Sequence, residues 1–433
     1  MPLWSSRKRS KKLCYNQGLI TMKPALCNTL QFPRYSLRFG IVVLAAALAG
    51  CGGYNSNSTS NQVATSGIKK RVLISNQQAG SVTIMDAQAD TLSTRSFTVF
   101  GASQMAANGG VTAVIGSTGN NVGLFDNVKE QAGPQPVLSS RVEDIAVSPD
   151  GKTVYAAVRN SGFVAFVSVA DGSFSMVNVP SVHRLVLSPN GSKLLAFSDD
   201  PQNQSGANAN AFSVIDTGTK AVTLIAESAG DQPFTGVFAG SDTRALILNC
   251  GAECGGTTAS VVLVDFSGAV PVITPKVTVS GATVGVLSGP TLFVAGTPVG
   301  SPTGTVQAIN TNTMTASAPV AITDGQHTKM RVGSNNRLYI GAVACTTSPG
   351  PTPGTTKGCL TIFNTSSSAV IIPAFGGLRS IFDVTGIQPI SNRNVIYVCE
   401  GGELDIFDTT TDALTPTQID VAGKAFDVLQ IDP

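Results

Sequence analysis

The feature that most limits what this chain can fold into is a unit that recurs from residue 71 to residue 433. Its clearest copy runs from Val142 to Asp171 and holds three apolar runs, separated by a Ser-Pro-Asp-Gly turn and a loop. The middle residue of the strand after the turn recurs at intervals of 40 to 58 residues, at Leu73, Val114, Tyr155, Leu195, Leu246, Phe293, Tyr339 and Tyr397. Eight copies of one small unit indicate a repeat protein.

The third apolar run of every copy ends in an acid or an amide. These residues are Asp86, Asp126, Asp171, Asp216, Asp265, Asn310, Asn364 and Asp408. A side chain of this kind caps the turn that follows, because its oxygen accepts hydrogen bonds from nearby backbone N–H groups. The alternative is a ring of metal ligands. We predict the capping role, and we predict no metal or other cofactor.

The pattern inside each unit is that of short β-strands. Apolar and polar residues alternate with period two, β-branched residues dominate, and Gly, Asn, Asp or Pro interrupts the runs about every eight to twelve residues, which excludes a helical solenoid. A repeat of about 40 to 45 residues with four short strands is typical of a β-propeller. We therefore predict an all-β fold of eight four-stranded blades. Seven blades are the alternative if the segment Gly101–Gly110 or Ala282–Gly289 forms no strand.

The two ends of the repeat region predict how the ring closes. The chain enters at a second strand, Val72–Ser75, and ends on a strand of the first type, Ala425–Ile431. Pairing of these two strands completes one blade and leaves no open sheet edge.

Two of the units resemble a known repeat. SPDGKTVYAAV (Ser148–Val158) and SPNGSKLLAF (Ser188–Phe197) are similar to the YVTN-type propeller repeat, and the resemblance covers residues 71–433. Propellers of this type occur in lactonases, redox enzymes and binding proteins. The resemblance therefore implies the fold and leaves the function open.

The first 50 residues have the pattern of an export signal. Eight basic residues and no acid accompany the apolar run Phe39–Ala49, which is too short to span a bilayer but fits the core of a signal peptide. Leu48-Ala49-Gly50-Cys51 resembles the lipobox of bacterial lipoproteins, which implies that Cys51 is lipidated after cleavage. The alternative is an ordinary secretory signal.

This pattern divides the chain into three segments: a signal peptide over 1–50, a lipidated cysteine and polar flexible tether over 51–70, and the propeller over 71–433. Met22 is an alternative start. Gly52 follows the cysteine, and by resemblance to enteric lipoproteins this implies the outer membrane, on its periplasmic face or on the cell surface.

The charge of the exported part argues against one class of partner. Beyond residue 50 the chain has 20 basic and 26 acidic residues, although the whole chain carries +2. A weakly acidic body without a basic stripe excludes nucleic acid as the expected partner.

Four cysteines are placed to form disulfides. Cys250 and Cys254 flank one hairpin connection, and Cys345 and Cys359 flank another. Adjacent antiparallel strands bring such pairs close enough to bond, and the compartment outside the cytoplasm permits it. Cys399 has no obvious mate and is expected to be a buried thiol. A metal site is the weaker alternative, because no histidine accompanies the C-x₃-C pair.

Charged residues recur where the innermost strands begin, at the expected mouth of the channel. They are Glu143, Asp144, His183, Arg184, His327, Lys329, Arg331, Arg379 and Asp427. Mixed charges at one mouth suit a small anionic or polar ligand. The structural alternative is a set of salt bridges between solvated strand ends.

Two functions follow as hypotheses. The first is a lipid-anchored envelope propeller that binds a protein or a small polar ligand, or acts as a scaffold. The second is a lactonase-like hydrolase, with Glu143, His183 and His327 as acid/base candidates. The chain has only two histidines, no C-x-x-C-H haem motif and no G-x-S-x-G nucleophile motif, so we favour the first.

Overall fold

A computed structural model describes residues 65–198, 210–226, 231–268, 270–274, 276–346, 357–373, 383–417 and 419–432. Within these ranges the regular secondary structure is almost entirely β-strand, arranged in eight antiparallel sheets. The predicted signal peptide, Cys51 and most of the tether lie outside the described residues, and so does Arg379. No helix within the described ranges is long and apolar enough to cross a membrane.

The first four blades use the N-terminal half of the chain and, for blade 1, one strand from the C-terminus. From the innermost strand outward, blade 1 consists of Ala425–Gln430, Arg71–Asn76, Ser81–Asp86 and Thr91–Thr98; blade 2 of Ala102–Asn108, Val111–Gly116, Val122–Asp126 and Gln131–Ala132; blade 3 of Asp144–Val147, Thr153–Val158, Phe163–Ser168 and Phe174–Asn178; blade 4 of Val182–Leu187, Lys193–Ser198, Ala211–Asp216 and Val222–Ala226.

The other four blades follow in chain order. Blade 5 consists of Pro233–Phe238, Arg244–Asn249 and Ser260–Asp265 with Val272–Ile273 and Val277–Thr278 at its edge; blade 6 of Val284–Ser288, Thr291–Gly296 and Gly304–Asn310 with Thr315–Ala316 and Val320–Ile322; blade 7 of Gln326–Val332, Arg337–Cys345, Lys357–Asn364 and Val370–Ile371; blade 8 of Val384–Pro389, Val395–Glu400, Glu403–Asp408 and Ala413–Leu414. Two short 3₁₀ helices, Arg159–Ser161 and Gly251–Cys254, lie in loops.

The innermost strands make the fold a closed ring. Each contacts the innermost strands of the two neighbouring blades, all the way round from blade 1 to blade 8 and back. Both uncertain segments form strands, in blades 2 and 6, so the prediction of eight blades is confirmed. The predicted closure is confirmed as well, because Val72 pairs with Gln430 and Ile74 with Val428.

The hydrophobic core is divided into eight main clusters, one between each pair of neighbouring blades. A blade is therefore buried on both faces, and its second strand is apolar along nearly its whole length, as in Arg244–Asn249. The strand register shows that one predicted position of the repeat was wrong. Val111 and Arg71 each pair with the acid that ends the third strand of their blade, so the residue equivalent to Leu73 is Ala113 and not Val114.

The predicted acid or amide caps a turn in every blade. In seven blades it ends the third strand, whereas in blade 3 the strand ends at Ser168 and Asp171 lies three residues later. The side-chain oxygen of this acid or amide accepts a hydrogen bond from the backbone N–H two residues later in all eight blades, at 2.7–3.1 Å. The Ser-Pro-Asp-Gly turn is also closed by its own side chains, because Ser148 Oγ accepts from Thr153 N at 2.9 Å and Gly151 takes a positive φ of 68°.

Both predicted disulfides are present, between Cys250 and Cys254 and between Cys345 and Cys359. Cys359 lies inside the third strand of blade 7, near its beginning, where the sequence predicted it to precede that strand. Cys399 is buried and not disulfide-bonded, as expected, and burial raises the pKa of its thiol well above the ordinary value.

Candidate functional site

A cavity of about 470 Å³ lies at the mouth of the channel, and we call it the channel cavity. All eight innermost strands contribute residues to its lining, and the charged residues come from blades 3, 4 and 7. The lining residues are Gln104, Glu143, Asp144, His183, Arg184, Leu185, Thr235, Val284, Gly285, Thr328, Lys329, Met330, Arg331, Val343, Val384, Thr385 and Phe426. Six of the predicted mouth residues thus meet at one place, namely Glu143, Asp144, His183, Arg184, Lys329 and Arg331.

One level of the channel holds eight matching residues, one from each blade. In seven blades the matching residue of the innermost strand pairs with the fifth residue of the second strand. In blade 2 it lies just before Met105, within the register shift between Ala102 and Met105. In blade order the residues are Asp427, Gln104, Asp144, Arg184, Thr235, Val284, Lys329 and Gly386. Two acids and two bases of the sequence prediction therefore lie in one ring.

A register shift lies just above this level in six of the eight innermost strands. The extra residue in each bulge is turned out of the regular alternation, as β-bulges commonly do beside functional sites. Four of these residues, His183, Thr328, Thr385 and Phe426, line the channel cavity. A one-residue insertion leaves no trace in an alternating pattern, so the sequence alone did not show the bulges.

Asp144 is held by hydrogen bonds from two neighbouring blades. Its Oδ2 accepts from Leu185 N at 2.8 Å, its Oδ1 accepts from Ile145 N at 2.9 Å, and Gln104 Nε2 also donates to Oδ1. Burial raises the pKa of this carboxyl, although the charge of Arg184 and these hydrogen bonds oppose that effect. The acid is thus largely engaged by the protein itself.

Asp427 makes the same kind of link between blades 1 and 2. Its Oδ2 accepts from Met105 N at 3.0 Å, its Oδ1 accepts from Val428 N at 3.1 Å, and Lys329 Nζ lies 3.6 Å from Oδ1. Blade 8 lies between the lysine and the acid, and there the matching residue is Gly386. A Cβ at Gly386 would come within 3.0 Å of Asp427 Oδ1, so the missing side chain leaves room for this ion pair.

Arg184 is one of two arginines on the wall of the cavity that have no acid bonded to them within the described residues. Its Cζ lies 4.8 Å from the centre of the Phe234 ring. The negative charge of Asp144 also attracts the guanidinium, but the two groups are too far apart to form a salt bridge. Among the described residues, none accepts a hydrogen bond from its guanidinium or lies within salt-bridge range. Burial lowers the pKa of Arg184, but a guanidinium stays protonated.

Arg331 and Glu143 complete the charged lining. The guanidinium of Arg331 donates to the backbone oxygen of Met330 at 3.2 Å, and within the described ranges no carboxylate is ion-paired with it. Glu143 lies 3.5 Å from Arg141 at the rim. The acids of the mouth are therefore bonded within the protein. Arg184 and Arg331, by contrast, have guanidinium N–H groups that could donate hydrogen bonds to a ligand.

The three acid/base candidates do not come together. His183 lines the channel cavity, but burial and the charge of Arg184 lower its pKa to about 3, so the ring is neutral. His327 is only 1% exposed, does not line the cavity, and has a pKa lowered by burial to about 4. Only Glu143 and His183 of the three reach the same space.

A second cavity of about 310 Å³, the side cavity, adjoins the mouth between blades 5 and 6. Its lining includes Glu253, which the sequence analysis passed over because it lies inside the Cys250–Cys254 disulfide loop. Phe234, whose ring also contacts His183 and Arg184 of the channel cavity, forms part of its wall.

Comparisons with known proteins show the fold and nothing finer. No protein-family model and no curated protein sequence matches the chain. A structure titled as dihydro-heme d1 dehydrogenase NirN in complex with DHE is similar over 84% of this chain and 75% of its own, with a TM-score of 0.63 and 12% identity.

Two further solved structures are similar to the chain. Apo AztD from Citrobacter koseri matches over 83% of this chain and 97% of its own, with a TM-score of 0.56 and 12% identity. The Dos1 propeller matches over 82% and 88%, with a TM-score of 0.57 and 11% identity. At these identities the likeness establishes a β-propeller, and the function has to be argued from the site.

Proposed function

We propose that this protein is an exported, membrane-anchored β-propeller that binds a small carboxylate ligand in its channel cavity. The observation that carries the proposal is the guanidinium of Arg184, which lines the cavity and, among the described residues, has no hydrogen-bond acceptor. An arginine in that state offers a paired set of N–H donors with the geometry of a carboxylate.

The charge distribution supports an anion rather than a cation. Asp144 is bonded to three donors, Asp427 is paired with Lys329, and Glu143 lies beside Arg141. Arg184 and Arg331 remain on the lining with no acid bonded to either within the described part of the chain. A ligand with two carboxylates fits two cationic contacts in one cavity.

The rigidity of the lining also supports a binding site. Arg184 belongs to an innermost strand that is bonded to blade 3 through Asp144, and its guanidinium lies against Phe234. A side chain already held in place loses less conformational entropy when a ligand arrives, which favours affinity.

Hydrolysis of a lactone has weaker support. His327 lies outside the cavity, and a histidine with a pKa of about 3, like His183, is a poor general base near neutral pH. We therefore place the ligand-binding role ahead of the lactonase-like alternative.

Succinate is a suitable probe, because it has two carboxylates and is small enough for the cavity. We expect the purified full-length protein to bind succinate in isothermal titration calorimetry. The Arg184→Gln variant loses a charge-assisted hydrogen-bonded contact worth about 1.5–3 kcal/mol, so its affinity should fall roughly 10- to 100-fold. Arg331→Gln, which changes an exposed residue, should weaken binding by a smaller factor.

Arg244→Gln is the matched control. Arg244 begins the second strand of blade 5 at the end away from the mouth, so this variant removes the same charge from the molecule but not from the cavity. It should bind succinate as the original protein does. Equal succinate affinity in Arg184→Gln and Arg244→Gln, with both variants folded by circular dichroism, would contradict the proposal.

The anchor proposed at Cys51 has its own test. Replacing Cys51 with alanine removes the thiol that would carry the acyl chains, and two or three chains hold a protein firmly on a bilayer. We expect the variant to leave the membrane fraction and to lose incorporation of labelled palmitate in bacterial cells. Unchanged membrane fractionation of Cys51→Ala would show that something else retains the protein.

A further inference from the structure

Glu253 is fixed at the wall of the side cavity by two neighbouring blades. It lies on the 3₁₀ helix Gly251–Cys254, which the Cys250–Cys254 disulfide closes at one end. Its Oε2 accepts a hydrogen bond from the backbone N–H of Thr297 in blade 6 at 3.0 Å. A Cβ at Gly296 would come within 2.6 Å of this oxygen, so the glycine permits the close approach.

Within the described residues, no cationic side chain of the protein pairs with the carboxylate of Glu253. No Lys, Arg or His of the described ranges lies within salt-bridge distance of Glu253, and burial raises its pKa to about 7. The titratable groups of the surrounding loops are engaged with other partners or neutral, and the charge of Lys276 acts on Asp231. Asp231 is bonded to Thr257 and Thr258, Asp324 to Thr346, and His327 is neutral.

The remaining lining matches a group that donates several hydrogen bonds. Besides Glu253, the side cavity is lined by Thr297 and Ser301, whose hydroxyl oxygens keep lone pairs that can accept. Phe234, Pro298 and Val299 supply apolar contacts beside them. The described residues contain no group of three or more metal-ligating side chains, so an organic cation fits better than a metal ion.

We propose that the side cavity is a binding subsite for a primary ammonium group. The ammonium supplies the positive charge that the carboxylate of Glu253 lacks and directs its other N–H donors at the hydroxyl oxygens of Thr297 and Ser301. The carbon chain of the amine lies against Pro298 and Val299.

The subsite stands on residues of its own and does not depend on Arg184. It adjoins the channel cavity at Phe234, because this ring lines the side cavity and contacts Arg184 of the channel cavity. If both sites exist, their position on either side of one ring suits a ligand with a carboxylate at one end and an ammonium at the other.

Butylamine and 1-butanol are a matched pair of probes, because they share the carbon chain and differ in the charged group. We expect full-length protein to bind butylamine at pH 8.5, and to bind 1-butanol at least tenfold more weakly, by calorimetry. An alkylammonium stays protonated up to about pH 10. Of the two binding partners, only Glu253 therefore changes its charge between pH 5.5 and pH 8.5. Its carboxylate is charged above pH 7 and protonated below. The affinity for butylamine should therefore rise about tenfold or more from pH 5.5 to pH 8.5.

The decisive variant is Glu253→Gln, which keeps the shape of the side chain and removes its charge. It should bind butylamine at least tenfold more weakly at pH 8.5 and should lose the pH dependence. Glu403→Gln changes an exposed glutamate of blade 8 and is the matched control, with unchanged binding expected. Glu253→Gln should still bind succinate, because Glu253 does not line the channel cavity, and this separates the proposal from the carboxylate site.

Three results would overturn the proposal: no butylamine binding by the original protein, binding as tight to 1-butanol as to butylamine, or normal binding by Glu253→Gln. A thermal melt of each variant shows whether it is folded. If Glu253→Gln does not fold, the pH dependence of the original protein decides, because a flat affinity between pH 5.5 and 8.5 contradicts a role for Glu253.

Discussion

At the scale of single residues, the ring of blades changes the chemistry of the side chains that it buries. His327 is an example, because it lies beside the chain at Gly304, where a Cβ would come within 2.6 Å of its Cε1. Burial lowers its pKa from 6.5 to about 4, while the charge of Asp324 acts in the opposite direction. The folded protein therefore holds a neutral imidazole at a pH where the unfolded chain would bind a proton.

This depressed pKa predicts a loss of stability in acid. The stabilising contribution is fully present above pH 6.5, where neither state binds the proton, and it disappears as the pH falls toward the folded-state value. Between pH 7 and pH 5 the loss from His327 amounts to about 2 kcal/mol. From pH 7 to pH 5 the free energy of unfolding of His327→Gln should therefore fall by about 2 kcal/mol less than that of the original protein. Urea unfolding at each pH measures this difference.

The comparison of pH 7 with pH 5 is made within each variant, so it does not depend on how much the substitution destabilises the fold. His183→Gln is the companion variant, because His183 also has a lowered pKa. An identical decline in unfolding free energy for the original protein and His327→Gln would show that His327 is not the group that titrates.

Single residues also show what a sequence can reveal about a site. The charges of Asp144, Arg184 and Lys329 could be assigned to the channel mouth because they recur at the start of aligned strands. Glu253 and Gly386 could not be identified in this way. The role of Glu253 depends on a backbone N–H of the next blade, and the role of Gly386 depends on the space needed by Asp427. Both are contacts between units that are distant in the chain.

At the scale of strands, the regular part of the repeat was predictable and its irregular part was not. Caps after the third strands and the Ser-Pro-Asp-Gly turn depend on residues within five positions of one another, so the local sequence determines them. The bulges of the innermost strands depend on how each strand meets its partner, which the alternating pattern does not record. They are also the elements that turn His183 and Thr328 toward the channel cavity.

At the scale of the whole molecule, one arginine joins the two ends of the described chain. The guanidinium of Arg71 donates to both carboxylate oxygens of Asp432 at 2.7 and 2.8 Å and to Glu130 at 3.1 Å. Ser66, just before the first strand, donates to Glu130 as well. The closure of the ring was predictable because the repeat region begins with a second strand and ends with a strand of the first type. The ion pairs that accompany it join residues too far apart in sequence to be predicted from it.

A closed ring with a charged cavity at its mouth is the arrangement from which we infer carboxylate binding. A crystal structure of the full-length protein with succinate locates the ligand most directly. We predict a succinate carboxylate in the channel cavity, with its oxygens about 3 Å from the guanidinium nitrogens of Arg184. Succinate bound only on the outer surface of the blades, with the guanidinium of Arg184 facing solvent alone, would contradict the proposed function.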